Sequence, residues 1–278
     1  MVQLSLFGSG DGDPEPKPGS AVQRLNILVT VKAAPLPSEK YGETVCVAGF
    51  RTDLLHPGWI RLYPINHRDL TSDDKFRKYD MISVDAAPAS QDQRRESWRP
   101  RLNTLLRLDH LEPWRRRREW LDQYVEESMC RLNAAARVRP DAKSLALVRP
   151  KEITGLRIER HPGWTPSEQN KIDRYVQQLD LFDERDRTPL EAPRFKAWYR
   201  YVCHEPGCKG HEQGLIDWEF VALQRRLSHL PDTEARQHLT DRFLGAMCGP
   251  DRATAFFVGN QAKRVHVFSV LGVYYPKR

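Results

Sequence analysis

A chain of 278 residues with 40% hydrophobic content can bury one large core or two modest ones, and a formal charge of +7 favours a polyanionic partner. No apolar run approaches the roughly 20 residues of a membrane span, and the N-terminus lacks the basic-then-apolar build of a signal peptide, so a membrane partner is excluded and a cytoplasmic protein expected. Five cysteines, an odd number, fit reduced thiols or metal ligands better than a disulfide framework.

In chain order, the first twenty residues read as a flexible tail. Residues 8–20, GSGDGDPEPKPGS, hold only Gly, Ser, Pro and charged side chains, which cannot bury enough apolar surface to offset the entropy of ordering. Such a leash has a root-mean-square reach of roughly 20 Å. Ahead of it stands the pentapeptide Gln3-Leu4-Ser5-Leu6-Phe7, whose three large apolar residues have no neighbouring core to enter.

From Leu25 the pattern turns to β. LNILVTV, ETVCVAGF, GWIRLYPI and MISVDA are short apolar or alternating runs separated by PLPSEKYG, HPG and DAAPAS. With LNTLLRLDHL, SLALV and EITGLRIER they predict a mixed or barrel-like sheet, interrupted by a helix near 113–136. The loop DQRRESWRP mixes guanidinium donors with a stacking surface at Arg94, Arg95, Trp98 and Arg99, as single-strand binders do. The alternative is that Trp98 plugs the core while the arginines face water. Between Arg94 and Arg139 there are twelve arginines against seven carboxylates, and the run Arg115, Arg116, Arg117 and Arg118 suits bidentate phosphate contacts. A solvated helix face with interleaved acids is the competing reading.

Thr165-Pro166-Ser167 opens a second helix expected over 166–182. Along it Ile172, Tyr175, Val176, Leu179 and Phe182 form an amphipathic stripe. The C-terminal part reads strand (FKAWYRYVC), Cys/His turn, helix (LIDWEFVALQRRL), helix (EARQHLTDRFLGAM) and a closing hairpin. The whole is predicted to be α+β, with a tail at 1–20, a β-rich domain with an inserted Arg-rich helix at 21–162 and an α+β domain at 163–278.

YRYVCHEPGCKGHEQGLIDWE sets Cys203, Cys208 and His211 in a C-x4-C-x2-H array, with His204 alongside and turns at Pro206-Gly207 and Gly210. Thiolates and imidazole are the donors of tetrahedral zinc, so a structural Zn2+ site is expected, its fourth ligand to come from His204, Cys248, His266 or Glu212. The turn resembles a zinc knuckle, a module that often binds nucleic acid. A hydrolytic metal held by Asp217 and Glu219, with Asp85 or Glu96 from other elements, is a further possibility. On a helix, however, positions two residues apart point to different faces.

The pentapeptide QLSLF resembles the bacterial sliding-clamp-binding motif, Gln-Leu-Ser/Asp-Leu-Phe, and QLDLF repeats it at Gln178, Leu179, Asp180, Leu181 and Phe182. The resemblance implies that Gln3 and Gln178 are polar anchors, that Leu6, Phe7, Leu181 and Phe182 fill an apolar pocket on the clamp, and that Leu4 and Leu179 complete each motif. In the second copy Leu179 and Phe182 also fit the helical stripe, where they would serve packing instead. Together these features predict a bacterial DNA-transactions accessory protein, recruited to the sliding clamp, zinc-stabilised and in contact with DNA during replication, repair or antiviral defence. The alternatives are a metal-dependent nuclease delivered by the clamp and a clamp-interaction protein without DNA contact.

Overall fold

The computed structural model describes residues 19–54, 58–67, 70, 75–112, 114–139, 141–177 and 188–278. The fold is α+β, built on two sheets. The elements run β1 (Gln23–Lys32), β2 (Leu36–Ser38), β3 (Gly42–Arg51), β4 (Trp59–Ile65), β5 (Asp80–Pro88), β6 (Ser97–His110), α1 (Trp114–Leu121), β7 (Val125–Glu126), α2 (Met129–Val138), β8 (Leu145–Val148) and β9 (Glu152–Arg160). They continue with α3 (Pro166–Gln177), β10 (Phe195–Val202), β11 (His211–Leu215), α4 (Trp218–Arg226), α5 (Asp232–Thr240), β12 (Ala255–Gln261) and β13 (Arg264–Tyr274).

The first sheet closes on itself. Its order is β1-β5-β6-β4-β3-β2, and β1 also pairs with β3, so five strands form a barrel to which β2 is an appendix. The β4–β6 pair is parallel and the other ring pairs are antiparallel. This is the order and sense of an OB-type Greek-key barrel. Alternation supplies the filling: Leu25, Ile27 and Val29 of β1 and Val45 and Val47 of β3 point inward with Ile60, Leu62, Ile82, Val84 and Trp98.

The second sheet repeats the scheme. Its order is β7-β8-β12-β13-β11-β10-β9, with β11 and β13 parallel. Strands β8 and β9 are two halves of one strand broken at residues 149–151, one half pairing with β12 and the other with β10. Counted as one, they close a second ring with the connectivity of the first. Tyr199, Tyr201, Phe220, Phe243, Phe256, Val258 and Val270 lie in its core, and α4 and α5 sit in the connection from β11 to β12.

The sheets therefore divide the chain near residues 111–124, not at 162/163. Strands β8 and β9 follow the first sheet in sequence, but β8 finds its partners up to 114 residues later, Gly259 opposite Leu145 and Phe256 opposite Val148 among them. The helix expected over 113–136 is two helices, α1 and α2, separated by a 3-10 turn at Asp122–Tyr124 and by β7.

The rings meet along a third apolar cluster. Leu28, Ala48 and Phe50 on the outside of β1 and β3 pack with Leu145, Leu147, Phe257, Leu271 and Tyr274 of the second sheet. A buried polar network crosses the same seam. Arg61 Nη2 donates to the carbonyl and the hydroxyl of Ser144, both at 3.2 Å, while the Ser144 N–H and hydroxyl donate to Glu96 at 2.7 and 3.0 Å. Each donor lost there would leave a buried group without a partner.

Candidate metal centre and basic groove

Four chain segments deliver four soft or borderline donors to one point. Ser128 caps α2 by accepting the Arg131 N–H at 3.1 Å, which fixes Cys130 in the first helical turn. Strand β10 ends at Val202, so Cys203 follows at the edge of the second core. The chain then reverses through Gly207 and Gly210, at φ of 76° and 98°, conformations that L side chains rarely adopt. That reversal brings Cys208 and the first residue of β11, His211, back toward Cys203.

The donor atoms of Cys130, Cys203, Cys208 and His211 all lie within 4.8 Å of one another. Cys130 Sγ and Cys203 Sγ are 3.7 Å apart, and His211 Nε2 is 3.5 Å from Cys130 Sγ and 3.3 Å from Cys208 Sγ. A tetrahedral ion with bonds of about 2.3 Å to sulfur and about 2.0 Å to nitrogen sets sulfurs roughly 3.8 Å apart and sulfur and nitrogen roughly 3.5 Å apart. Those three edges match, the rest stay within 4.8 Å, and the cluster could hold a metal ion.

Its electrostatics agree. Burial works against a thiolate at Cys203, but the backbone N–H groups it accepts from and the neighbouring His211 and Cys208 pull its pKa down to about 6. Burial, followed by the thiols of Cys203 and Cys208, pushes Cys130 up to about 12. Of these two thiols Cys203 ionises first, and a bound cation would draw the proton from Cys130.

The fourth donor gathered there is Cys130, and not His204, Cys248, His266 or Glu212 as expected. The His204 backbone N–H donates to Glu127 O at 2.9 Å and its side chain stays outside the cluster. The Cys248 thiol donates to Phe243 O at 3.3 Å, Glu212 pairs with Arg157 and Arg200, and His266 is exposed on β13. A four-donor requirement and a spare cysteine in EESMCRL were the available signals. Neither says that α2 and the turn are neighbours.

The arginine-rich candidates separate into two kinds. Trp98 starts β6 and points into the first barrel, 4% exposed, with the Arg51 guanidinium 5.3 Å from its ring centroid, so it is a core residue and offers no stacking surface. Arg94 is buried, chelating Asp92 at 2.6 Å and donating to Asn260 O at 2.8 Å, and Arg95 pairs with Asp141. Those two arginines tie the β5–β6 loop to the second half of the chain, while Arg99 is exposed.

On α1, Arg117 turns inward to lie 4.1 Å over Tyr79 and 4.9 Å over Trp114. Arg115, Arg116 and Arg118 face solvent and pair with Glu119 at 3.5 Å, Asp109 at 3.0 Å and Asp122 at 2.9 Å. Beside them opens a groove of about 670 Å³ lined by Trp114, Arg115 and Arg118 from α1 and by Arg252, Lys277 and Arg278 from the other end of the chain. Two carboxylates, Glu119 and Asp122, also line it, leaving five cations against two acids.

The carboxylates weighed for hydrolysis are not gathered. Asp217 is the N-cap of α4, its Oδ1 accepting the Glu219 N–H at 2.8 Å, and burial raises its pKa to about 7 against the pull of Lys78. Glu96 is held by Ser144, and Asp85 pairs with Arg24 at 3.1 Å. Among the described residues the Cys/His set is the one group of three or more such side chains with metal-binding spacing. Gln3, Leu4, Leu6 and Phe7, and Gln178, Leu179, Leu181 and Phe182, lie outside the described residues. No helix among the described residues is long and apolar enough to cross a membrane.

Residues 125–278 match the model of a domain of unknown function, DUF8757, and residues 23–123 match that of a second, DUF8758. The junction between the two matches falls where the first sheet has ended and β7 begins the second. No curated protein matches the chain.

Proposed function

The chain belongs to the family defined by the domain of unknown function DUF8757, and from its own residues we propose that it is a DNA-transactions accessory protein recruited to the bacterial sliding clamp. The observation that carries the DNA contact is the groove beside α1. Arginines from one helix and Arg252, Lys277 and Arg278 from more than 130 residues later line one concave surface, with Trp114 in its wall. Arginine forks bind phosphate bidentately, and the flanking acids hold them in place without cancelling the excess of positive charge.

Zinc is the ion assigned to the Cys/His centre. Three thiolates and one imidazole form a closed set, the pattern of a structural site, where catalytic zinc keeps a position open. Bound zinc would join α2 to the turn that leads into β11, and so hold the α2 end of the second barrel together. Recruitment rests on the two pentapeptides, Gln3 to Phe7 and Gln178 to Phe182, each a short segment with apolar anchors and one polar group to set register. Replication, repair and antiviral defence are the processes such a protein would serve.

The test is capture of purified bacterial sliding clamp by the full-length protein, with Leu6 and Phe7 changed to Ala, alone and together with Leu181→Ala and Phe182→Ala. The expected result is loss of capture in the combined variant. Undiminished capture there, or none by the wild type, would sink recruitment. A DNA affinity independent of salt would sink the groove as a phosphate site.

A further inference from the structure

We propose that the outer face of β9, β10 and β11, centred on Trp198, stacks the unpaired bases of single-stranded DNA. This site is separate from the α1 groove, and it rests on the reading that the protein contacts DNA.

The two barrels share one connectivity, so their faces can be compared strand for strand. In the first, most of the outside of β1, β3 and β4 is covered: Leu28, Ala48 and Phe50 are buried against the second sheet and Arg61 is buried with them, leaving Tyr63 near the end of β4 exposed. The strands β9, β10 and β11 hold the same positions in the second barrel. There Ala197, Tyr199 and Tyr201 fill the core, and Lys196, Trp198 and Arg200 alternate outward, none of them buried. A Greek-key barrel of this type uses that face for oligonucleotides; of the two, the second barrel's is the more open, with Lys196, Trp198 and Arg200 of β10 all accessible.

The side chains there suit a base. Directly across from Trp198 stand Arg157 on β9 and Gly214 on β11. The Arg157 guanidinium lies 3.9 Å from the indole centroid and Lys196 Nζ lies 5.0 Å from it. Across from Arg200 stand Gly155 and Glu212. A Cβ at Gly214 would come 3.7 Å from Trp198 Nε1, whereas a Cβ at Gly155 would meet nothing within 4 Å. The two glycines leave low, open backbone on both sides of β10, and Ile216, 41% exposed, extends the surface past Gly214.

Glu159 and Glu212 balance part of the charge. Arg157 pairs with both, and Arg200 Nε lies 3.1 Å from Glu212. These acids hold the Arg157 guanidinium over the indole, and three cations against two carboxylates leave room for phosphates. A planar aromatic flanked by cations and glycines is a sequence-tolerant stacking surface, and every base has a face to offer it. Duplex DNA keeps its bases stacked inside and has none to give.

The experiment is fluorescence anisotropy of the full-length protein with labelled oligo(dT) of about 20 nucleotides, a duplex and an RNA of the same length. Trp198→Ala is expected to weaken oligo(dT) binding about 5- to 150-fold and to leave duplex binding and the salt slope unchanged, because the indole carries no charge. Trp198→Phe restores most of the loss. A thermal melt and metal content equal to wild type for Trp198→Phe show that the fold is kept. Equal oligo(dT) affinity in Trp198→Ala and wild type overturns the platform, as does an equal loss on duplex or a preference for RNA. Loss of DNA binding in α1 arginine variants with Trp198→Ala unaffected would overturn the platform and leave the broader proposal standing.

Discussion

Cys130 and Cys203, 73 residues apart in the chain, bring their sulfurs to 3.7 Å, one from the first turn of a helix and the other from the end of a strand. Their approach joins α2 to the second barrel and completes a four-donor set. One metal ion per chain is therefore expected by elemental analysis of the purified protein. Cys130→Ser should lose it, and His204→Ala should retain it in full. An ion present at a thousandfold over its dissociation constant adds about 4 kcal/mol, so chelation should lower the melting temperature by roughly 10 °C at this chain length. Full metal content in Cys130→Ser would contradict the ligand assignment.

His67 makes the stability of the first barrel depend on acid. It is 8% exposed, its ring centroid lies 5.4 Å from that of Phe76, and Lys32 Nζ approaches Nε2 at 3.3 Å. Burial, and then the Lys32 charge, lower its pKa from 6.5 to about 4. A group depressed in the folded state contributes stability that is fully present above the unfolded pKa and lost as pH falls through the folded one. Urea denaturation should accordingly show stability falling between pH 6.5 and about 4 by about 2–3 kcal/mol. His67→Gln should flatten that window, and an unchanged slope in the variant would refute the assignment.

Glu96 and Ser144 tie the two barrels together at 2.7 Å through a buried N–H to carboxylate bond. Glu96→Ala removes the acceptor of both the Ser144 N–H and its hydroxyl, and is expected to cost about 3 kcal/mol. Ser144→Ala keeps the N–H bond and should cost about 1 kcal/mol. Chemical denaturation of each variant gives the comparison; near-equal losses would mean that the carboxylate is not the centre of the network.

The arginines of α1 should divide by function. Changing Arg115, Arg116 and Arg118 together to Ala is expected to make the log–log salt dependence of DNA binding shallower by roughly 2–3. Arg117→Ala should leave that slope alone and lower stability by about 1 kcal/mol, since its guanidinium covers Tyr79 and Trp114. A slope that responds to Arg117 and ignores the other three would reverse the division.

Much of the local structure was legible in advance. Apolar runs such as LNILVTV and MISVDA became β1 and β5, and FKAWYRYVC became β10, because alternation and turn residues act within a window of a few residues. Thr165 does open α3: Glu168 Oε2 accepts its N–H at 2.9 Å, and the Glu168 N–H reaches back to its hydroxyl at 3.3 Å. For DQRRESWRP the alternative reading is the one found at Trp98, which plugs the core; the side it faces is set by pairing with Leu62 and Pro88, 36 and 10 residues before it.

By itself the sequence determined most of the longer strands, the turns and three of the four clustered donors, since Cys203, Cys208 and His211 sit within nine residues and two glycines bend the chain between them. Only the tertiary structure decided that Cys130 is the fourth donor, that β8 and β9 belong to the second ring, and that Arg252, Lys277 and Arg278 share a groove with α1. The physical reason is the same in each case. A local rule records a residue's period and its neighbours along the chain, whereas these contacts are chosen by which hydrophobic faces bury one another when two barrels close.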